Sequence, residues 1–308
     1  MKKSWAGYLF LAPAALHLFV FALLPIGYAL FLSVFKWDVL KPNKPFIGAK
    51  NYVDTLTDSA FWNAMWNSTK FALVSVPAGL AVALFVAVLV TQRLRGMAFF
   101  RTVFYIPAVS SGVAISILWI YIYLPTSGLI ASLIQMLNAG IAKANQLLHI
   151  SLSLLPTDID FLNDKAWALW ALAFMSIWTG LGPRMVLFSA GLLGIPRPLY
   201  EAAELDGASR WQCFKQITLP MLTPTTFFVL ITSTIGAFQL FTPVYMMTQG
   251  NPEDSTRVIG YHIYEEAWSR FHVGLASAQS FVLMVPLFFI ALMQERFMRR
   301  RLEGFSIQ

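Results

Sequence analysis

The side chains able to do acid, base, nucleophilic or metal chemistry are thinly spread along this chain. His17, His149, His262 and His272 stand apart, without a metal-binding spacing such as H-E-x-x-H. No cluster of catalytic groups is found, so the sequence predicts no catalytic residue and no metal site. The G-x-x-x-x-G-K-[ST] loop that cradles nucleotide phosphates is absent, and the chain is expected to bind no cofactor of its own. Cys213 is the single cysteine, which excludes an internal disulfide; between Arg210 and Lys215 it reads as a reduced bystander.

What remains is chemistry of binding and of force transfer. Residues 200–220, YEAAELDGASRWQCFKQITLP, form a polar stretch in an otherwise apolar chain. Pro196 and Pro198 end the structure before it, and residues 199–206 have the composition of a short helix. Ala202 and Ala203 present only methyl groups, so another surface can come close. Gly207, after Asp206, can take positive φ and reverse the chain. Trp211, Phe214 and Ile217 follow at three-residue spacing as the apolar face of a second helix leading to Leu219 and Pro220. Glu201 is free to pair with an arginine of another subunit. An amphipathic loop with no partner is the blander reading.

A second, neutral constellation lies further on. Thr232, Gly236, Gln239 and Pro243 share a helical face, with Ser233 and Tyr245 nearby. Hydroxyl, amide and aromatic groups suit a neutral sugar, whereas a phosphorylated or carboxylated ligand would call for a cation. The same small and hydroxyl residues also serve to hold membrane helices together, and that reading stands beside the first.

The elements that must position these residues are membrane spans. Of 308 residues, 57% are hydrophobic and only 12% charged, far from ordinary globular usage. Crossing a bilayer core of roughly 30 Å takes about 20 apolar residues. The sequence supplies six such stretches, at 8–35, 71–90, 103–124, 166–188, 224–248 and 273–293. The expected fold is therefore all-α, a polytopic bundle of six transmembrane helices forming one domain over 1–308. Residues 8–35 follow Lys2 and Lys3 like a secretory signal, but the stretch is too long for one and reads as a retained helix. The net charge of +7 belongs to basic residues flanking the spans, so nucleic acid is not an expected partner and membrane lipid is. The loop 91–101 carries Arg93, Arg95 and Arg101 and no acid, and Arg299, Arg300 and Arg301 close the last span. The positive-inside rule then puts both termini and residues 200–220 in the cytoplasm. Between spans three and four, Leu129, Ile130, Leu133, Ile134, Leu137, Ile141 and Leu148 recur at helical spacing, as a helix on the outer surface or a segment packed against the spans. Apart from Arg184 near a helix end, no span carries a charge in its middle, which disfavours a proton- or sodium-driven carrier. The missing catalytic cluster likewise disfavours an intramembrane lipid- or glycan-modifying enzyme.

Glu201-Ala202-Ala203, Gly207, Ile217 and Leu219-Pro220 together match the motif of the membrane subunits of binding-protein-dependent ABC importers. The chain resembles that family, and most the branch of maltose- and glycerol-3-phosphate-type permeases. Asn67, Arg101, Pro107, Trp178, Gly191-Leu192, Ile195-Pro196, Thr248, Pro252, Gly274 and Ala276-Ser277-Ala278 extend the resemblance over nearly the whole chain. It departs at Asn251, where that branch has a second glycine before Pro252; asparagine tolerates a left-handed turn. The resemblance implies a cytoplasmic coupling helix between spans four and five, and a bacterial inner-membrane location. It implies a second permease in a heterodimer, two ATPase subunits that hold ATP and magnesium, and an extracytoplasmic solute-binding protein. Trp178, Thr179 and Gly180 would then sit where the maltose-type subunit meets its sugar.

Overall fold

A computed structural model describes residues 5–91, 96–148, 153–156 and 159–303. Lys2, Lys3, Arg93, Arg95 and His149 lie outside them. The described residues are helical, with two isolated β-bridges and no strand. In a hydrocarbon medium that is the economical solution, since a helix satisfies its backbone polar groups within itself.

The chain begins with α1 (Trp5–Leu18), which passes through a π-helical turn at Phe19–Leu23 into α2 (Leu24–Ser33). Then come α3 (Lys50–Thr57), α4 (Ser59–Val90), α5 (Met97–Val109), α6 (Gly112–Ile122) and α7 (Leu129–Leu148). They are followed by α8 (Ala168–Thr179), α9 (Leu181–Leu193), α10 (Arg197–Leu205), α11 (Arg210–Cys213), α12 (Leu219–Met221) and α13 (Thr223–Phe238). The last two are α14 (Ile259–Tyr264) and α15 (Val273–Glu303).

Three helices are long and apolar enough to cross a membrane alone: Leu9–Ser33, Ser59–Val90 and Val273–Arg296. Three bent helix pairs are apolar enough to add a span each if the two halves are taken together. Met97–Val109 and Gly112–Ile122 meet at 102°, Ala168–Thr179 and Leu181–Leu193 at 46°, and Arg210–Met221 and Thr223–Phe238 at 63°. The count reaches six when each pair is one span. The sequence had drawn 103–124 and 224–248 as continuous; instead Ser110 is extended between α5 and α6, and α13 stops at Phe238. Hydropathy averages over a window and does not register a two-residue break. The stretch 129–148 is a helix, with Ile130 and Ala131 turned inward and Leu133 and Leu137 exposed.

The chain divides into two compact units. The first comprises Met1–Trp62 and His262–Phe289. Its Leu9–Ser33 helix has no buried window, as a lipid-facing helix should. The Asn51 amide donates to the carbonyls of Ser33 and Phe35 at 2.8 and 2.9 Å and ties α3 to the end of α2. Gly274 lies so close to the Phe35 carbonyl that any Cβ there would collide with backbone.

The second unit comprises Asn63–Tyr261 and Ile290–Gln308. One of its cores joins Ala83, Val86, Ala87 and Val90 of α4 to Leu181, Met185 and Phe188 of α9 and Val229 of α13. Another gathers Ile115, Trp119 and Tyr123 with Ala171 and Met175. Gly182 lets α9 approach α5: a Cβ there would stand 2.6 Å from the Phe104 carbonyl oxygen and 2.8 Å from the Tyr105 Cα. Several residues that carry the family resemblance have plain structural work here. Asn67 donates to the carbonyls of Asp254 and Arg257, and Arg101 Nη2 donates to the Val90 carbonyl at 2.6 Å.

Candidate functional site

Residues 196–222 fold into a compact hook. Pro196 adopts extended geometry as the N-cap of α10, and Pro198 falls in the first turn, where a missing N–H costs nothing. The helix begins two residues before the predicted start for that reason. It ends in a Schellman motif: Gly207 N–H donates to the Glu204 carbonyl at 3.1 Å, and Ala208 N–H to the Ala203 carbonyl at 2.9 Å. Gly207 holds φ +79°, the left-handed conformation its position demands. A capping box starts α11 at once, with Ser209 Oγ accepting from the Gln212 N–H and Gln212 Oε1 accepting from the Ser209 N–H. Tyr200 and Thr218 share a hydroxyl hydrogen bond of 2.8 Å, which closes the hook on itself.

Among the described residues the outer face of the hook has no partner. Glu201, Ala202 and Asp206 are exposed, Leu205 is 90% exposed and Trp211 69%. Among the described residues Glu201 forms no ion pair. The predicted apolar face of Trp211, Phe214 and Ile217 forms only in part. A π-helical turn at Phe214–Thr218 rotates the packed side, so Cys213 and Thr218 are buried, Phe214 and Ile217 half-buried, and Trp211 stacks outward on Phe214 at 5.5 Å. Leu219 and Pro220 open α12, and Leu222 behind them is fully buried.

Above the hook, in the same unit, a cavity of about 610 Å³ is lined by Phe71 and Ser75 of α4, by α5, α6, α8, α9 and α13, and by Leu240 and Pro243. Two of the three breaks open onto it, Ser110 and Gly112 between α5 and α6 and Gly180 between α8 and α9, and Leu240 and Pro243, which follow α13, line it too. Irregular backbone at membrane depth is tolerated where it lines a cavity, because polar groups released from the helices can find partners there.

Of the residues expected on a substrate path, Thr179, Gly180, Thr232, Ser233 and Gly236 line this cavity. Trp178, Gln239 and Tyr245 do not. Trp178 joins an aromatic cluster with Trp119, ring centroids 5.6 Å apart. Gln239 loses the shared face because α13 ends beside it, and Tyr245 stacks on Phe241. The left-handed turn expected at Asn251 falls instead on Gln249 and Gly250. What sequence reading missed is Arg184. The break at Gly180 makes two half-helices of the span, so this arginine falls in the first turn of the second one and lines the cavity instead of closing the span.

Residues 75–303, the stretch holding both cavity and hook, match the family model described as binding-protein-dependent transport system inner membrane component. The chain belongs to that family. It is similar to the probable ABC transporter permease proteins YesP and YurN of Bacillus subtilis (strain 168). YesP is 35% identical over 94% of this chain and 89% of the relative, and YurN 33% identical over 95% of each. It is also 29% identical to the sn-glycerol-3-phosphate transport system permease protein UgpA of Escherichia coli O157:H7, over 97% of this chain and 96% of that one. Its fold is that of a chain in the crystal structure of a bacterial ABC transporter involved in the import of the acidic polysaccharide alginate. The TM-score there is 0.76 at 22% identity, covering 97% of this chain and 96% of the other. This protein is accordingly a multi-pass inner-membrane permease subunit of an ABC importer, a transport component and not an enzyme.

Proposed function

We propose that the chain forms half of the translocation path for a carbohydrate and takes its power through the hook. A second, distinct permease completes the path. Two ATPase subunits, which hold ATP and magnesium, dock on the exposed face of α10. A solute-binding protein delivers ligand from outside, and both termini lie in the cytoplasm with the hook.

The observation that carries this reading is the course of two helices. Arg184 and Leu187 of α9 line the cavity, and the same helix runs on to Leu193 at the start of the hook. From the end of the hook, α13 runs back to Thr232, Ser233 and Gly236 on the cavity wall. Near the hook the two are in close contact, since a Cβ at Gly191 would lie 2.6 Å from Thr225 Oγ1. A displacement of the hook therefore pulls both walls together, which is how a rigid-body push becomes alternating access. Relatives named for glycerol-3-phosphate and structural neighbours named for alginate support a ligand of the carbohydrate class.

The test is copurification of an ATP-binding subunit with the permease pair. Glu201→Lys reverses the charge of the exposed face and is expected to abolish copurification and ATP-driven uptake together. Intact association and uptake in that variant would refute the coupling role.

A further inference from the structure

Among the described residues Arg184 is the only ionisable group that lines the cavity. Its Nε donates to Ser233 Oγ at 3.1 Å, while Nη1 is buried with no hydrogen-bond partner. Among the described residues no carboxylate pairs with it. The seat of the guanidinium is built from two directions. Gly79 of α4 leaves room for Nη1, which would collide with any Cβ there, and a Cβ at Gly180 would stand 2.9 Å from Cζ and 3.0 Å from both terminal nitrogens. Glycine at both positions, with Ser233 fixing the third side, holds a planar cation at one place in the wall. The hydroxyls of Ser75, Ser176, Thr179 and Thr232 share the cavity with it.

A cation at membrane depth is costly and is kept where a counter-charge or a polar pathway answers it. Among the described residues no counter-charge answers it. With Nε held by Ser233 and Nη1 packed against Gly79, Nη2 is the nitrogen left to donate a charge-assisted hydrogen bond to an oxygen of a carboxylate or phosphate, and α9 begins at the break beside it, adding the positive end of a helix. The expectation of a neutral ligand rested on a path without a cation, and Arg184 removes that premise.

Deepening the carbohydrate reading above and resting on it, we propose that Arg184 is the anchor for an oxyanion carried by the substrate, so that the importer moves an acidic sugar or sugar phosphate. The hydroxyls beside it receive the sugar, and the guanidinium receives the carboxylate or phosphate as it leaves bulk water. No bond is made or broken.

The experiment uses the assembled importer in proteoliposomes, with its binding protein outside and ATP inside. Three probes are offered: digalacturonate for a carboxylate, glycerol 3-phosphate for a phosphate, and lactose as the neutral control. The expected result is ATP-dependent uptake of one or both anionic probes. Arg184→Gln should raise KM for that probe tenfold or more, with Arg184→Lys intermediate and copurification of the ATPase unchanged in both. Which anionic probe is taken up distinguishes the two oxyanions. Uptake confined to lactose would overturn the proposal while leaving the carbohydrate reading in place. So would an unchanged KM in Arg184→Gln, or an equal loss for all three probes, which would assign Arg184 to pairing with the neighbouring subunit. Uptake of every probe independent of ATP would instead sink the importer reading itself.

Discussion

Two glycines of the second unit separate folding from coupling at the level of single residues. A Cβ at Gly182 would press on the backbone of α5, which cannot move aside without shifting a helix. Gly182→Ala is therefore expected to cost about 2 kcal/mol and to lower the yield of folded protein and its thermal midpoint. At Gly207 the space is open, and only the left-handed backbone resists a side chain. Gly207→Ala should cost about 1 kcal/mol, confined to the end of α10, and should weaken ATPase association while leaving the thermal midpoint almost unmoved. Comparing melting with copurification in the two variants checks both statements. An exposed pair behaves differently again. The hydrogen bond and charge of Lys165, 2.8 Å away, hold the Glu253 carboxyl below its usual range. A depressed acid favours the folded arrangement at pH above its unfolded value, and that preference disappears as pH falls through the lowered one. Lys165→Ala should thus raise the Glu253 titration midpoint, followed by carboxyl-carbon NMR, and remove only the small neutral-pH contribution that an exposed pair makes.

At the scale of elements, the hook was legible in the sequence because its signals are local. Prolines and a glycine after a short helix each act within one turn, and α10 follows them; the capping box of Ser209 and Gln212 that starts α11 is as local but was not read. The helix breaks were not legible. Gly180 and the pair Ser110-Ser111 sit in apolar windows whose average hydropathy stays high, and that average outweighed the breaker residues beside them, Gly182 and Pro183 at one bend and Pro107 and Gly112 at the other. Missing those bends also displaced Gln239 from the cavity and Arg184 into it, since a helical wheel drawn through a break assigns the wrong faces. The long helices α4 and α15 could be found from composition because nothing interrupts them except Pro77 and Pro286, which membrane helices accommodate. The closure of the hook yields its own prediction. Removing the hydroxyl in Tyr200→Phe deletes the bond to Thr218 and should cost about 1 kcal/mol locally. A slack hook still docks the ATPase but transmits less of its motion, so uptake per ATP hydrolysed should fall while copurification persists. Tight coupling retained in Tyr200→Phe would show that stiffness of the hook is irrelevant.

For the whole molecule, the proposal joins a path to a handle and leaves the power to a partner subunit. Its family places it in a transport system that depends on a binding protein, and its wall helices run from the cavity to a surface that finds no partner among the described residues. The claim on which the account turns is that motion of the hook opens and closes that cavity. It is tested most directly by accessibility of a single thiol. Cys213 is replaced by serine, and Thr232, which lines the cavity, by cysteine. A membrane-impermeant maleimide is then added outside the assembled importer. Its reaction rate should rise when ATP and vanadate trap the ATPases closed, and that rise should vanish in Glu201→Lys. A rate indifferent to nucleotide, or a rise that survives Glu201→Lys, would contradict the account.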